Sequence, residues 1–102
     1  MRISVLDQSP IREGGTAAQA LAESVELAQT AEALGYHRFW LAEHHGNAGL
    51  ACVAPEIVIG HVAAQTSTIR VGSGGVMLTH YASLKVAEQF RTLETLFPGR
   101  ID

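Results

Sequence analysis

The chain has 102 residues, of which 47% are hydrophobic and 17% are charged, and its net charge is −3. These proportions are typical of a folded domain with a core and exclude a disordered chain. The seven lysines and arginines form no basic stripe, so we expect no nucleic-acid partner. No apolar run approaches the ~20 residues of a membrane span and no signal-peptide pattern is present, so we expect a soluble, cytoplasmic protein without a membrane partner.

The chain contains one cysteine, Cys52. One cysteine cannot form an intramolecular disulfide and is typical of a protein from a reducing compartment. No lysine or arginine lies near it in sequence to activate the thiol, so we expect Cys52 to be a small buried hydrophobic residue.

The first half of the chain predicts a strand, a helix and a second strand. Residues 3–6 are apolar and are followed by a turn sequence that ends at Pro10. Thr16 and Gln19 have the spacing of a capping box, and the apolar residues that follow predict a helix that Gly35 ends. Residues 39–41, Phe-Trp-Leu, predict the second strand.

The second half repeats this order. Pro55 stands where a first helical turn accepts proline, and the predicted apolar face of this second helix consists of Ile57, Val58, His61, Val62 and Gln65. Residues 69–72 predict a third strand. Ser83 is expected to cap a third helix that Pro98 ends, and residues 101–102 have the character of a strand start.

The strand centres recur every 30–36 residues, roughly the ~31-residue average of a (β/α)8 barrel of about 250 residues. Helical repeats have a similar period but contain no strand. We therefore predict an α/β fold with a parallel sheet: a partial (β/α)8 TIM barrel of about three β/α units plus the start of a fourth strand.

Two predicted strands end in residues suited to chemistry. Glu43, His44 and His45 follow the second strand, and Ser73, Gly74 and Gly75 follow the third. The carboxyl ends of parallel strands meet at one edge of a sheet, so we expect these two segments to be neighbours. Imidazole exchanges protons near neutral pH, and glycine permits close approach of backbone to a planar ligand. The alternative is that the histidines bond only to backbone and the glycines form a flexible turn.

A metal site is a competing interpretation, because five side chains are suitable ligands: Glu43, His44, His45, His61 and His80. Adjacent histidines on one strand cannot easily converge on one ion, and no H-x-x-x-H or H-E-x-x-H spacing occurs. We therefore expect no bound metal. His61, on the predicted apolar face of the second helix, is expected to be a core or interface residue.

Three segments in this order resemble the bacterial luciferase-like, flavin-dependent monooxygenases: Leu-Ala-Glu-His-His at 41–45, Val-Gly-Ser-Gly-Gly at 71–75 and Phe-Pro-Gly-Arg-Ile-Asp at 97–102. The opening segment at 4–10 is similar to a subgroup of that family. The resemblance implies that residues 1–102 are the N-terminal part of a (β/α)8 barrel domain. It also implies reduced FMN, or a deazaflavin in some branches, as cofactor, with O2 and a small organic molecule as substrates.

The resemblance also assigns roles. It implies that His44 is catalytic with Glu43 supporting it, and that Ser73, Gly74 and Gly75 face the flavin ring. In this family a non-prolyl cis peptide is frequent at the position of Gly74-Gly75. Barrel enzymes often bind phosphate after strands seven and eight, which residues 1–102 do not include, so we expect this part to be inactive alone.

The main alternative to an enzyme is a non-catalytic association module. Three β/α units leave open strand edges and an uncovered barrel face, which we expect to contain Val5, Phe39, Leu41 or Val71. We therefore expect a homo-oligomer, or association with the remainder of the barrel. A histidine-based metal-binding protein is the second alternative.

Overall fold

The computed structural model describes all of residues 1–102 and alternates strands with helices. The strands β1, β2 and β3 lie in one parallel sheet in that order. Their bounds, and those of the helices, are β1 Ser4–Asp7, α1 Ala17–Ala33, β2 Arg38–Leu41, α2 Pro55–Gln65, β3 Arg70–Ser73 and α3 Ser83–Leu96. Ile101 forms a parallel bridge with Val71, where a fourth strand would add to β3. The predicted partial parallel barrel is confirmed.

The helix ends follow local sequence signals, with one exception. At the start of α1, Thr16 accepts the amide of Gln19 and Gln19 accepts the amide of Thr16, which confirms the capping box. Gly35, with a φ of 80°, follows the last turn in the left-handed conformation that glycine tolerates. The prediction that Ser83 caps α3 is wrong, because the helix begins at Ser83 and the capping position is Ala82, which has no hydroxyl.

The helices cover one face of the sheet. Val5, Phe39 and Val71 share a row on this face, and Phe39 and Val71 are fully buried. The main core is a single cluster: Ala28, Ala31, Phe39, Leu41, Cys52, Ile59, Val62, Ala63, Ile69, Val71 and Leu93. The expectation that Val5, Phe39, Leu41 and Val71 form the uncovered barrel face is therefore wrong. Alternation along a strand separates two faces but does not say which one receives the helices when both contain apolar residues.

The opposite face of the sheet has no helix packed on its central row of Leu6, Trp40 and Gly72, and we call it the bare face. Leu6 is 58% exposed. A Cβ added to Gly72 would collide with the Trp40 ring and with the backbone of Asp102. Glycine is therefore required at this position of β3. Asp102 accepts hydrogen bonds from Arg38 and Arg70, each at 2.6 Å.

Only part of the predicted apolar face of α2 is buried. The residues that α2 buries are Pro55, Ile59, Val62 and Ala63. Ile57 is 71% exposed, and His61, one turn further on, is also exposed, so the expectation of a core position for His61 is wrong, while an interface position stays a prediction. Because α2 is apolar on most sides, its spacing could not select one face.

The amino-terminal edge of the sheet is closed by Glu32 at the end of α1. Its carboxylate accepts the backbone N–H groups of Ser67, Thr68 and Ile69 at 2.6–3.2 Å. Burial acts to raise the pKa of Glu32, but these donors outweigh it and lower the pKa to about 2. Glu32 therefore fixes the turn that leads into β3.

None of the helices is long and apolar enough to cross a membrane.

Candidate functional site at the carboxyl ends of the strands

The structure brings the two predicted strand-end segments together. The amide of Gly74 donates to the carbonyl of Leu41 at 2.8 Å, which joins the chain after β3 to the end of β2. Three residues further on, the amide of Met77 donates to Oε2 of Glu43 at 2.7 Å. Glu43 and the glycine segment, residues 73–75, therefore lie at one edge of the sheet, as expected for parallel strands.

Glu43 is the centre of a hydrogen-bonded group that we call the Glu43 cluster: Glu43, His45, Tyr81 and the amide of Met77. The side chain of Glu43 is 2% exposed. Its Oε1 accepts hydrogen bonds from Nε2 of His45 at 2.7 Å and from the hydroxyl of Tyr81. Burial acts to raise the pKa of Glu43, but the donors from Tyr81, Met77 and His45 outweigh it and hold the pKa below its usual value.

The sequence analysis did not identify Tyr81 as a site residue. It named His80 only as a candidate metal ligand. The hydrogen bond to Glu43, followed by burial, raises the pKa of Tyr81 to about 12. The ring of His80 lies edge-on between those of His45 and Tyr81, with centroids at 5.7 Å and 6.3 Å. No short motif links Tyr81 to Glu43, which is 38 residues earlier, so only the fold could reveal the pair.

His44 occupies a different environment from its neighbours. It is partly buried, and its amide donates to the carbonyl of Cys52 at 3.3 Å, while its ring makes no hydrogen bond to another residue. The expected support of His44 by Glu43 is not seen as a direct contact, because Glu43 bonds to His45. The strand β2 ends at Leu41, so alternation along a strand does not by itself place the side chains of His44 and His45.

The loop that contains His44 is held against the loop after β1. Pro10 and Leu50 form an antiparallel bridge, the amide of Ile11 donates to Gly49 at 2.8 Å, and that of Ala51 donates to Ser9 at 2.9 Å. Cys52 follows this bridge and is fully buried, and burial raises the pKa of its thiol to about 11. This confirms the prediction that Cys52 is a buried hydrophobic residue.

The glycine segment borders a depression of about 190 Å³ on the bare face of the sheet, lined by Leu6, Trp40, Ser73 and Gly74. A Cβ added to Gly74 would reach 2.9 Å from the side chain of Leu6, whereas one added to Gly75 would meet nothing within 4 Å. The sequence analysis did not predict Leu6 and Trp40 as site residues, because apolar residues are ordinary within strands. The chain contains no cis peptide bond, so the cis bond that the resemblance implies at Gly74-Gly75 is not observed.

The histidines do not gather into a ligand set. No group of three His, Cys, Asp or Glu side chains is placed to hold one metal ion. His61 lies on α2, and the imidazole of His45 is directed to Glu43. The metal-binding alternative therefore has no supporting cluster in this structure.

A parallel sheet whose carboxyl edge holds polar side chains and a glycine segment is the arrangement of a (β/α)8 barrel enzyme, here represented by three units. The model of the luciferase-like monooxygenase family matches residues 1–102. The chain belongs to this family. The family predicted from the sequence is confirmed.

Known relatives are much longer than this chain. The chain is 61% identical over 102 residues to N-acetyl-S-alkylcysteine monooxygenase of Bacillus subtilis (strain 168). The match covers all of this chain and 30% of the relative. The crystal structure of apo-MsnO8 superimposes with a TM-score of 0.96 at 57% identity, over 99% of this chain and 31% of that one.

A more distant structure shares the fold alone. The oxygenating constituent of 3,6-diketocamphane monooxygenase from Pseudomonas putida, in complex with FMN, has a TM-score of 0.89 at 24% identity. The match covers 99% of this chain and 28% of that chain. The chain thus spans about 30% of the length of the relatives that it matches.

Proposed function

We propose that residues 1–102 form the N-terminal part of a flavin-dependent monooxygenase barrel that uses reduced FMN and O2 to oxidise a small organic substrate. The observation that carries this proposal is the meeting of the Glu43 cluster, His44 and the glycine segment at one sheet edge, in a chain that matches the family over its whole length. A deazaflavin is the alternative cofactor, because its ring has the same planar shape.

The residues beside the depression fit a planar ring system. Gly74 leaves open a space that a Cβ would fill, and Leu6 and Trp40 provide apolar walls. Ser73, Gly74 and Gly75 would hold the ring through backbone contacts, since glycine allows the closest approach. When bound, the reduced flavin supplies the electrons that activate O2.

His44 is the residue that we assign to proton transfer. Its ring has no hydrogen-bond partner within the chain, so both nitrogens are available to a substrate. Imidazole is suited to this role because it gains and loses a proton near neutral pH. Glu43 supports His44 only indirectly, by bonding to His45 next to it in the chain and to the segment after β3.

We also propose that residues 1–102 have no turnover by themselves. Barrel enzymes frequently bind the cofactor phosphate in the loops after strands seven and eight, which lie outside these residues. Each charge-assisted hydrogen bond lost is worth about 1.5–3 kcal/mol, so losing two or three weakens flavin binding by roughly 10²–10⁶. A three-stranded sheet also cannot exclude water from the reacting atoms.

A chimaera tests both proposals. Residues 1–102 replace the matching 102 residues of the Bacillus subtilis N-acetyl-S-alkylcysteine monooxygenase, which supplies the other strands. We expect the chimaera to oxidise an N-acetyl-S-alkylcysteine with reduced FMN and O2, whereas residues 1–102 alone do not. In the chimaera, His44→Ala should lower kcat/KM by about 10²–10⁴, the usual contribution of a general acid or base.

His61→Ala is the matched control, because His61 is an exposed histidine on α2. Equal loss of activity in both variants would refute the role of His44. A chimaera that folds and binds FMN but shows no turnover with any substrate would refute the proposed reaction. Turnover by residues 1–102 alone that disappears in His44→Ala would refute the requirement for the other strands.

The bare face of the sheet favours a second candidate function, an association module. Leu6 is 58% exposed on this face, and β1 is an open edge strand. Exposed edges and apolar surface favour pairing with further polypeptide, either a second copy or the rest of a barrel. A monodisperse ~11 kDa species in sedimentation over a wide concentration range would contradict this candidate.

A further inference from the structure

The hydrogen bonds of Glu43 reach two different parts of the chain. His45 belongs to its own loop, whereas Met77 and Tyr81 belong to the segment between β3 and α3. Met77 and Tyr81 flank a single 3-10 turn, Leu78–His80. One carboxylate therefore holds this turn at both of its ends.

We propose that Tyr81 is a positioning residue: through the hydrogen bond that its hydroxyl donates to Glu43, it closes the segment after β3 onto the end of β2 and holds Glu43 and His45 as one unit. The role of this unit in oxidation rests on the proposed function above. The positioning itself is a property of residues 1–102.

The proton positions in the Glu43 cluster are defined by its chemistry. An ionised carboxylate only accepts hydrogen bonds, so Nε2 of His45 must carry the proton that points to Oε1 of Glu43. The other ring nitrogen, Nδ1, has no partner in the chain, and the His45 side chain is 41% exposed. Tyr81 contributes the second donor to the same oxygen, with its hydroxyl 3.3 Å from Nε2.

Tyr81 is suited to positioning because its ring is rigid and reaches Glu43 from the segment between the 3-10 turn and α3. Its backbone is extended, with φ of −129° and ψ of 150°, directly after the 3-10 turn. The amide of Met77 fixes only the first end of that turn. Loss of the hydroxyl therefore frees the second end, beside the glycine segment that we assign to the flavin ring.

The test compares Tyr81→Phe with Tyr36→Phe in residues 1–102. Tyr81→Phe retains the ring and removes the hydroxyl, while Tyr36 is an exposed tyrosine that makes no side-chain hydrogen bond. NMR then follows hydrogen exchange of the Met77 amide and titration of the Glu43 carboxyl group. Tyr81→Phe should speed the exchange about tenfold, the effect of losing one hydrogen bond from the group, and should raise the pH at which Glu43 titrates. Tyr36→Phe should change neither.

A second measurement needs no change at position 81. In Tyr36→Phe the only tyrosine left is Tyr81, and its phenol should ionise near pH 12 when followed by ultraviolet absorbance. Ionisation near the ordinary tyrosine value of about 10 in the folded protein would overturn the proposal. So would a Tyr81→Phe variant that folds and keeps wild-type exchange at Met77 and wild-type titration of Glu43.

The same variants in the chimaera separate this proposal from the proposed function. If Tyr81 positions the site for the reaction, Tyr81→Phe should lower kcat and shift the acid limb of the pH profile upward, while Tyr36→Phe leaves both unchanged. Absence of flavin binding in every variant, including the wild type, would refute the proposed function. The exchange and titration results would still decide the role of Tyr81 within the chain.

Discussion

Glu32 and Glu43 are two carboxylates at opposite edges of the same sheet, and each accepts several hydrogen bonds from a distant segment. Glu32 receives backbone N–H groups from the turn before β3. Glu43, at the other edge, receives one backbone N–H group and a tyrosine hydroxyl from the segment after β3, and an imidazole from its own loop. The two differ in the chemistry of their donors, although the pKa of both is lowered.

This difference separates a structural carboxylate from a responsive one. Backbone amide protons do not titrate at any ordinary pH, so the bonds to Glu32 change only when Glu32 itself is protonated. Two of the three donors to Glu43 are side chains, the imidazole of His45 and the hydroxyl of Tyr81, so these bonds also change when a side chain rotates. The carboxyl edge, where barrel enzymes place their chemistry, is thus the edge that is held mainly by side-chain hydrogen bonds.

The largest effect on stability is expected for Glu32→Ala. It leaves three backbone N–H groups without their acceptor, and the loss should lower the free energy of unfolding by about 2–4 kcal/mol for these partly exposed, charge-assisted bonds. Urea unfolding measures it. Glu26→Ala, an exposed glutamate on the same helix, should remain within ~0.5 kcal/mol of wild type. Similar losses in both variants would contradict a structural role for Glu32.

The pH dependence of stability gives the second test. The pKa of Glu32 is lowered from 4.5 to about 2, so its contribution is complete above pH 4.5 and disappears as the pH falls toward 2. Asp102, whose pKa its partner Arg70 helps to lower to about 2, loses its contribution over an overlapping range. We expect Glu32→Gln to flatten, but not abolish, the fall in unfolding free energy between pH 4.5 and 2. An unchanged slope would contradict this assignment.

A smaller loss of stability is expected for Glu43→Gln, about 1–2 kcal/mol, because the amide oxygen can still accept one hydrogen bond. The larger consequence should appear at His45, since an amide cannot hold the imidazole proton as a carboxylate does. The His45 Nε2 proton should exchange with water at least about tenfold faster when followed by NMR. Unchanged exchange of this proton would mean that Glu43 does not orient the ring.

The smallest effect on stability is expected for Gly74→Ala. The only close contact of the added Cβ is with the end of the Leu6 side chain, which can move, while Leu41 and Trp40 are at ordinary contact distances, so the unfolding free energy should change by less than ~1 kcal/mol. In the chimaera the same methyl group should weaken FMN binding, measured by flavin fluorescence. Gly75→Ala, which adds a methyl group to open space, is the control. Equal FMN affinity in both variants would contradict the placement of the flavin ring in the depression.

The sequence predicted the order of elements more accurately than their orientation. Thr16 and Gly35 located the ends of α1 because capping depends on neighbouring residues alone. The assignment of Phe39 to the uncovered face failed because period-two alternation does not identify the covered side. His61 was misplaced for a similar reason, on a helix that is apolar on most sides.

The site could be predicted only to the level of the two segments. The meeting of residues 43–45 with residues 73–75 follows from parallel topology, which the sequence indicates. The bond between Glu43 and His45 does not, because β2 ends at Leu41 and strand alternation no longer places the side chains that follow it. Tyr81 joins the cluster through a long-range contact that no local pattern records.

The bridge between Pro10 and Leu50 has a consequence for how this loop can diverge. His44 is tied to the carbonyl of Cys52, and the residues before Cys52 are tied to the loop after β1, so both ends of the intervening stretch are anchored. Residues 46–48, which lie between these anchors, are exposed. Insertions there would bulge into solvent and leave the imidazole in place. The loop could therefore lengthen at residues 46–48 without moving the residues that we propose form the active site.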